Sequence, residues 1–390
     1  MSDSRRVWSI EAVRELTSRY FNKRACLFQI QVAMAIYCDR KDVVACAPTG
    51  SGKTLSFWIP LIMAQADGLK KIMIVVTPLN LLGQQNVNEL ALAHIRAVAV
   101  NSENNSASLW KDIKTHHFDV VIINPEILMG SDEATVLLED PKFASLILHI
   151  VFDEGHCISE WGRFRKDYSR LGALRHTIRS VEKIPFYVAS ATLPKSILAD
   201  IASILRLRDD ETRYILQSND RPEVALLVRP LVYAANSYRD LEFLLPGKPY
   251  CNDAPEKFIV FFDNMKEAEA ARDALRKRLS TINKSRVKHF HSTMTQDYRR
   301  EELERFRRLA SRSTLIELGE ARRHMLTTRD LSQQGHKLSA VVCRGIAVTS
   351  DSGSRQRAWE EIRRSRRHIL PAALSRVSSS LDDVLVYIAP

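Results

Sequence analysis

Residues Ala47-Pro48-Thr49-Gly50-Ser51-Gly52-Lys53-Thr54 form a glycine-bearing turn between an apolar run and a helical stretch. Glycines let backbone N–H groups curl around a phosphate, and the following helix N-terminus adds partial positive charge. In that arrangement Lys53 reaches the terminal phosphates and the Thr54 hydroxyl ligates Mg²⁺, with Thr49, Gly50, Ser51 and Gly52 lining the anion. Ala47 departs from the strict pattern, which has glycine first. About a hundred residues on, Asp153-Glu154-Gly155-His156 follows a second apolar run. Asp153 suits a Mg²⁺ ligand and Glu154 a base that positions or deprotonates water, the division of labour that nucleoside triphosphate hydrolysis requires. An Asp-Glu pair alone is more often a solvated strand end. Paired with the phosphate loop, it points to nucleotide binding.

Side chains so far apart in sequence need a scaffold that brings them to one edge. From Lys41 to about Thr192 the text alternates short β-branched runs with longer stretches of helical spacing. DVVACA (42–47), KIMIVVT (71–77), DVVIIN (119–124), LILHIVFD (146–153) and FYVASAT (186–192) read as strands apolar on both faces. Such strands belong to a parallel sheet covered by helices, an α/β doubly wound domain that binds ligands at the carboxyl ends of its strands. A second α/β unit starts after SNDRPEV (218–224), with strands in KFIVFFDN (257–264) and VKHFHS (287–292) and charged helices at 265–279 and 296–309. Beyond about Arg308 the periodicity weakens, and only 339–348 and 384–389 look strand-like.

APTGSGKT together with DEGH resembles the DExH-type superfamily 2 helicases, and further motifs narrow the resemblance to RecQ-like helicases. Gln31, upstream of the loop, resembles the glutamine that reads adenine. TPLNLLGQQ (77–85) is similar to the motif that touches the nucleic-acid backbone, and NPE (124–126) to the family's SPE. Ser190-Ala191-Thr192 resembles the motif that couples the nucleotide site to the strand-binding surface. HCISEWGRFRKDY (156–168) resembles the RecQ aromatic-rich loop, one residue shorter than usual. There Trp161, Phe164 and Tyr168 offer faces for base stacking, worth about 1–3 kcal/mol per base, and Arg163 and Arg165 offer phosphate contacts. The alternative is that these rings are core aromatics beside a solvated cationic face. The resemblance covers roughly 20–308 and implies tandem RecA-like domains, ATP and Mg²⁺ as cofactors, His156 in the catalytic set, and single-stranded and duplex DNA as partners. By the same resemblance it implies 3′ to 5′ unwinding and a nuclear location.

The resemblance stops in the second half. The family's T-D-x-F/A-G-M-G-x-D and Q-x-x-G-R-x-G-R segments, the latter carrying an arginine finger, are not legible; Thr327-Thr328-Arg329-Asp330 is only a fragment of such a pattern. The expected organisation is a first RecA-like lobe over 1–215, the N-terminal part of a second over 216–308, and a diverged or misread Arg-rich tail over 309–390. Three readings follow: a DNA helicase with a diverged second lobe, an ATP- and nucleic-acid-binding protein with little unwinding, or a P-loop kinase or signalling NTPase. The last leaves the aromatic loop without a purpose.

Composition sets weaker bounds. Hydrophobic residues at 45% and charged residues at 26% exclude collagen-like and mostly disordered classes. The formal charge of +11 suggests a polyanionic partner. Residues 299–390, however, hold 18 cations, 17 of them Arg, against 11 acids, so most of the excess lies where the motifs have vanished. Six cysteines without a C-x-x-C pair predict reduced thiols and no zinc module. His289 and His291 alternate as strand neighbours, without further metal ligands nearby in sequence. No apolar run is long enough to cross a bilayer.

Overall fold

The computed structural model describes residues 6–78, 80–162, 165–179, 183–218, 225–230, 232–245, 250, 258–262, 265–291, 293–307, 314–318, 342–343 and 384–389. The chain divides into two compact units, Met1–Asp220 and Arg221–Pro390. In the first, strands β1 (Asp42–Cys46), β2 (Ile72–Val76), β3 (Ala97–Val100), β4 (Val120–Ile123), β5 (Ile147–Phe152), β6 (Phe186–Ser190) and β7 (Thr212–Leu216) form one sheet. Its order is β3-β4-β2-β5-β6-β1-β7, and every neighbouring pair is parallel. The five strands read from the sequence are all present.

β3 and β7 were not expected, for one physical reason. Both lie at sheet edges, where one side of the strand stays wet and no continuous apolar run is required. β7 leaves Tyr214 and Leu216 about half exposed, and β3 is only partly buried.

Strand alternation divides the core in two. Val43 and Ala45 of β1 face a cluster with Phe57 and Trp58, whereas Val44 faces the opposite cluster with Phe152 and Phe186. The helix α1 (Ile10–Phe21) starts at Ser9, whose side chain accepts from the Ala12 N–H at 3.1 Å. α2 (Leu27–Tyr37) and α3 (Lys53–Ala66) cover the first cluster with ten consecutive buried residues from Leu55 to Ala64 on α3. Among the described residues no helix is long and apolar enough to cross a membrane.

In the second unit β8 (Ala225–Pro230) precedes β9 (Ile259–Phe262), β10 (Val287–Phe290), β11 (Thr314–Leu318), β12 (Val342–Cys343) and β13 (Val384–Ala389). A parallel sheet of order β10-β11-β9-β12 packs Phe258, Val260 and Phe262 against Ala268, Ala271 and Leu275 of the helix Met265–Lys277. β11 and β12 come from the Arg-rich stretch, as does β13, which pairs antiparallel with β8.

A charge network holds the amino-terminal edge of the first sheet. Asp42 is fully buried, accepts from Arg175 Nη2 at 2.6 Å and Arg208 Nε at 3.1 Å, and accepts the Phe186 N–H at 2.8 Å. Burial alone would raise its carboxyl pKa; the Arg208 hydrogen bond and the Arg175 charge outweigh it and hold the pKa below the ordinary 3.8. Because the folded value lies below the unfolded one, this stabilisation is complete above about pH 4 and is lost as pH falls through the folded pKa. Asp42→Ala should cost about 3–5 kcal/mol at pH 7, because it leaves the half-buried Arg175 without a carboxylate and Arg208 with Glu211 alone. Urea unfolding at pH 7 and pH 3 checks this: the gap between wild type and variant should shrink at the lower pH.

Candidate active site

β6 lies between β5 and β1 in the sheet, so the segments leaving these three strands share one edge. The register aligns Val151 with Tyr187 and Tyr187 with Val43, and the last pair joins Cys46 to Ser190. The phosphate-loop residues therefore emerge beside Ser190-Ala191-Thr192, and both stand next to Asp153-Glu154-Gly155-His156. The Ala47 N–H donates to the Ser190 carbonyl at 3.2 Å, the Asp153 N–H to Val76 at 2.9 Å and the Gly155 N–H to Ala189 at 2.9 Å.

Within the loop, Gly50 and Gly52 take φ of +88° and +82°, a region side chains disfavour. At Gly52 a Cβ would also stand 2.4 Å from Gln29 Nε2. Lys53 opens α3, and its ammonium donates to the Ala47 and Pro48 carbonyls at 2.7 and 3.2 Å, so it lies across the mouth of the loop. Ser51 Oγ is buried without a hydrogen-bond partner among the described residues, and Thr49 and Thr54 are half-buried on either side. An enclosed hydroxyl, two glycines at positive φ and a lysine form a cradle suited to an anion.

Gln31 lies on the exposed side of α2, and the glutamine that reaches the loop is Gln29. Gln29 is buried, donates to the Gly52 carbonyl at 2.9 Å and accepts the Cys26 N–H at 2.9 Å. Spacing alone could not separate two glutamines two residues apart; the α2 turn that buries position 29 and exposes position 31 does so.

The acidic turn carries backbone strain. Glu154 has φ of +49°, uncommon for a residue with a Cβ, and its N–H donates to Asp153 Oδ1 at 3.0 Å. Burial raises the Glu154 pKa, with the Lys53 charge opposing it. Glycine is required at 155, since a Cβ there would meet Val188 Cγ1 at 2.3 Å. His156 Nδ1 lies 2.9 Å from Ser190 Oγ and 3.4 Å from Glu154 Oε2. Ser190 Oγ donates to the Thr192 carbonyl at 3.1 Å, so a continuous polar chain runs from Glu154 to the exposed Thr192.

The aromatic loop differs from the expectation of exposed stacking faces. Trp161 is 5% exposed and Tyr168 2%, both in the core cluster behind β5, with rings 5.7 Å apart and edge-on. Arg165 lies over the Trp161 ring at 4.8 Å and pairs with Glu126 at 3.2 Å. The two rings bury more apolar area packed together than presented to water, so the core alternative describes them. Arg163 and Phe164 lie outside the described residues, as do 219–224 of SNDRPEV.

Residues 27–201 match the profile of the DEAD/DEAH box helicases. The chain is 34% identical over 219 residues to the probable ATP-dependent DNA helicase RecS of Bacillus subtilis, covering 54% of this chain and 41% of that one. Against the mouse exonuclease/helicase WRN it is 33% identical, over 51% of this chain and 13% of that one. The ATP-dependent DNA helicase RecQ of Bacillus subtilis matches at 26%, over 76% and 46%. Over about half its length the chain is thus similar to ATP-dependent DNA helicases. It spans less than half the length of each of these relatives. Among solved structures, the helicase MrfA bound to DNA and AMPPNP aligns with a TM-score of 0.58 at 17% identity, over 88% of this chain and 47% of that one. The Mycobacterium smegmatis helicase Lhr bound to ssDNA and AMP-PNP gives 0.51 at 16%, over 77% and 41%. At these identities the likeness establishes the RecA-like fold.

The placement of Trp161 in the core of the first unit is directly testable. Trp161→Ala should destabilise the protein by about 3–5 kcal/mol through the cavity it leaves under Arg165 and Tyr168. Denaturant unfolding followed by circular dichroism measures it; an unchanged midpoint would mean the indole faces solvent.

Proposed function

We propose that this protein is an ATP-dependent DNA helicase that couples hydrolysis at the β1, β5 and β6 edge to movement along DNA. The observation that carries the reading is the convergence of Lys53, Glu154, His156 and Ser190 at one sheet edge, joined by a charge interaction and a hydrogen-bond chain.

In this reading the loop from Thr49 to Gly52 directs backbone N–H groups at the phosphates, and Ser51 Oγ donates to one of their oxygens. Lys53 leaves the Ala47 and Pro48 carbonyls for the terminal phosphate. Gln29, not Gln31, reads the adenine edge while staying tied to Gly52. Glu154, whose buried carboxylate favours a proton, accepts one from the attacking water. His156 relays the change at Glu154 to Ser190 and Thr192. The Thr54 hydroxyl and the Asp153 carboxylate are hard oxygen donors of the kind Mg²⁺ takes, and the ion when bound neutralises charge on the phosphates.

DNA as the partner, unwinding in the 3′ to 5′ direction, and action in a nucleus during repair or recombination rest on the resemblance of the sequence. One observation favours a second reading, of ATP and DNA binding with little unwinding: no arginine-finger segment is legible after Arg308. Loss of such a finger lowers turnover by about 10³–10⁵.

ATP turnover with and without single-stranded DNA separates these readings. Lys53→Ala should lower it by about 10²–10³ or more, and Glu154→Gln by about 10²–10⁴ with ATP still bound. Turnover in Lys53→Ala equal to wild type would sink the nucleotide site. Gln29→Ala should raise KM for ATP, and Gln31→Ala should leave it unchanged; the reverse outcome would return the adenine contact to Gln31.

A further inference from the structure

The second unit brings together three metal-ligating side chains that the sequence keeps apart. His289 in β10 and His291 just after it alternate along the extended chain, which directs both rings to one side. Their centroids are 5.2 Å apart. The helix Met265–Lys277 packs against this strand region and supplies Glu269 between the rings. Glu269 Oε1 lies 3.9 Å from His289 Nε2 and 3.9 Å from His291 Nε2, and the three ligand atoms fall within 4.8 Å of one another.

We propose that Glu269, His289 and His291 form a Zn²⁺ site with a fourth position open to water. With Zn–N and Zn–O bonds of about 2.0–2.2 Å, tetrahedral ligand atoms stand about 3.3–3.5 Å apart. The two Glu–His edges must close by roughly half an ångström, and the His–His edge by up to about 1.5 Å, to complete the set. Two features of His291 support it. Nε2 is buried and has no hydrogen-bond partner among the described residues, a costly state for a polar atom. Nδ1 lies 2.7 Å from Thr293 Oγ1, the outer contact that orients a ligating imidazole. The Glu269 side chain is 47% exposed, which leaves the ion a path in from solvent.

Arg272 is the competitor. Its Nη1 lies 2.7 Å from His289 Nδ1 and 3.3 Å from Nε2. A metal on Nε2 leaves Nδ1 carrying the ring proton, so Nδ1 can no longer accept from the guanidinium. Arg272 must then swing away, towards Asp273, to which it already donates at 2.8 and 3.0 Å. This site involves the second unit alone and is independent of the nucleotide-site reading.

The test uses the full chain, stripped of metal and free of nucleotide, titrated with Zn²⁺ against a chromophoric chelator. Wild type should bind one Zn²⁺ that Glu269→Gln, His289→Ala and His291→Ala each weaken by at least about tenfold. Arg272→Ala should tighten it by about tenfold, a gain that misfolding cannot imitate. Co²⁺ in place of Zn²⁺ should give visible absorption lost in the same three variants. If Zn²⁺ affinity were the same in wild type and the three ligand variants, or if Arg272→Ala weakened binding, the cluster would be a hydrogen-bonded trio and the proposal would be overturned.

Discussion

The register of three parallel strands governs the chemistry of this chain. β6 is hydrogen-bonded to β5 on one side and β1 on the other, and Tyr187 is level with both Val151 and Val43. From that alignment the phosphate loop, the acidic turn and the Ser-Ala-Thr segment leave the sheet at one edge, within two residues of one another along β6. A one-residue slip of β1 would turn Val43 and Val44 to the wrong cores. The core clusters on the two faces therefore guard the geometry of the candidate site as well as the stability of the sheet.

The opposite edge of the sheet explains how that register is held. Asp42 begins β1, accepts the N–H of Phe186 at the start of β6, and binds Arg208 just before β7. One buried carboxylate thus ties three strands where they start, at the sheet edge opposite the phosphate loop. The strain at the other end, where Glu154 has positive φ, is flanked by the Asp153 and Gly155 N–H groups, which donate to β2 and β6 and hold the turn. The rigid edge supports the strained one.

Much of this was legible because its signals are local. Phosphate-loop chemistry demands glycines and a lysine in fixed order, and doubly buried strands demand continuous apolar runs such as DVVAC and ILHIVF. The edge strands β3 and β7 were silent, since a half-wet strand has no such run. The aromatic loop was ambiguous for another reason. A tryptophan flanked by arginines has the same composition whether its ring meets a base or packs under one of those arginines, as Trp161 does beneath Arg165.

The sequence by itself determined the class of fold, the phosphate-loop and acidic motifs, and the likeness of the first unit to known helicases, because each is written in contiguous residues. Only the tertiary structure decided which glutamine meets the loop, where the indole goes, and that Glu269 stands between His289 and His291. Those outcomes depend on helix phase and on the packing of one element against another. Neither is a property of any short stretch of chain.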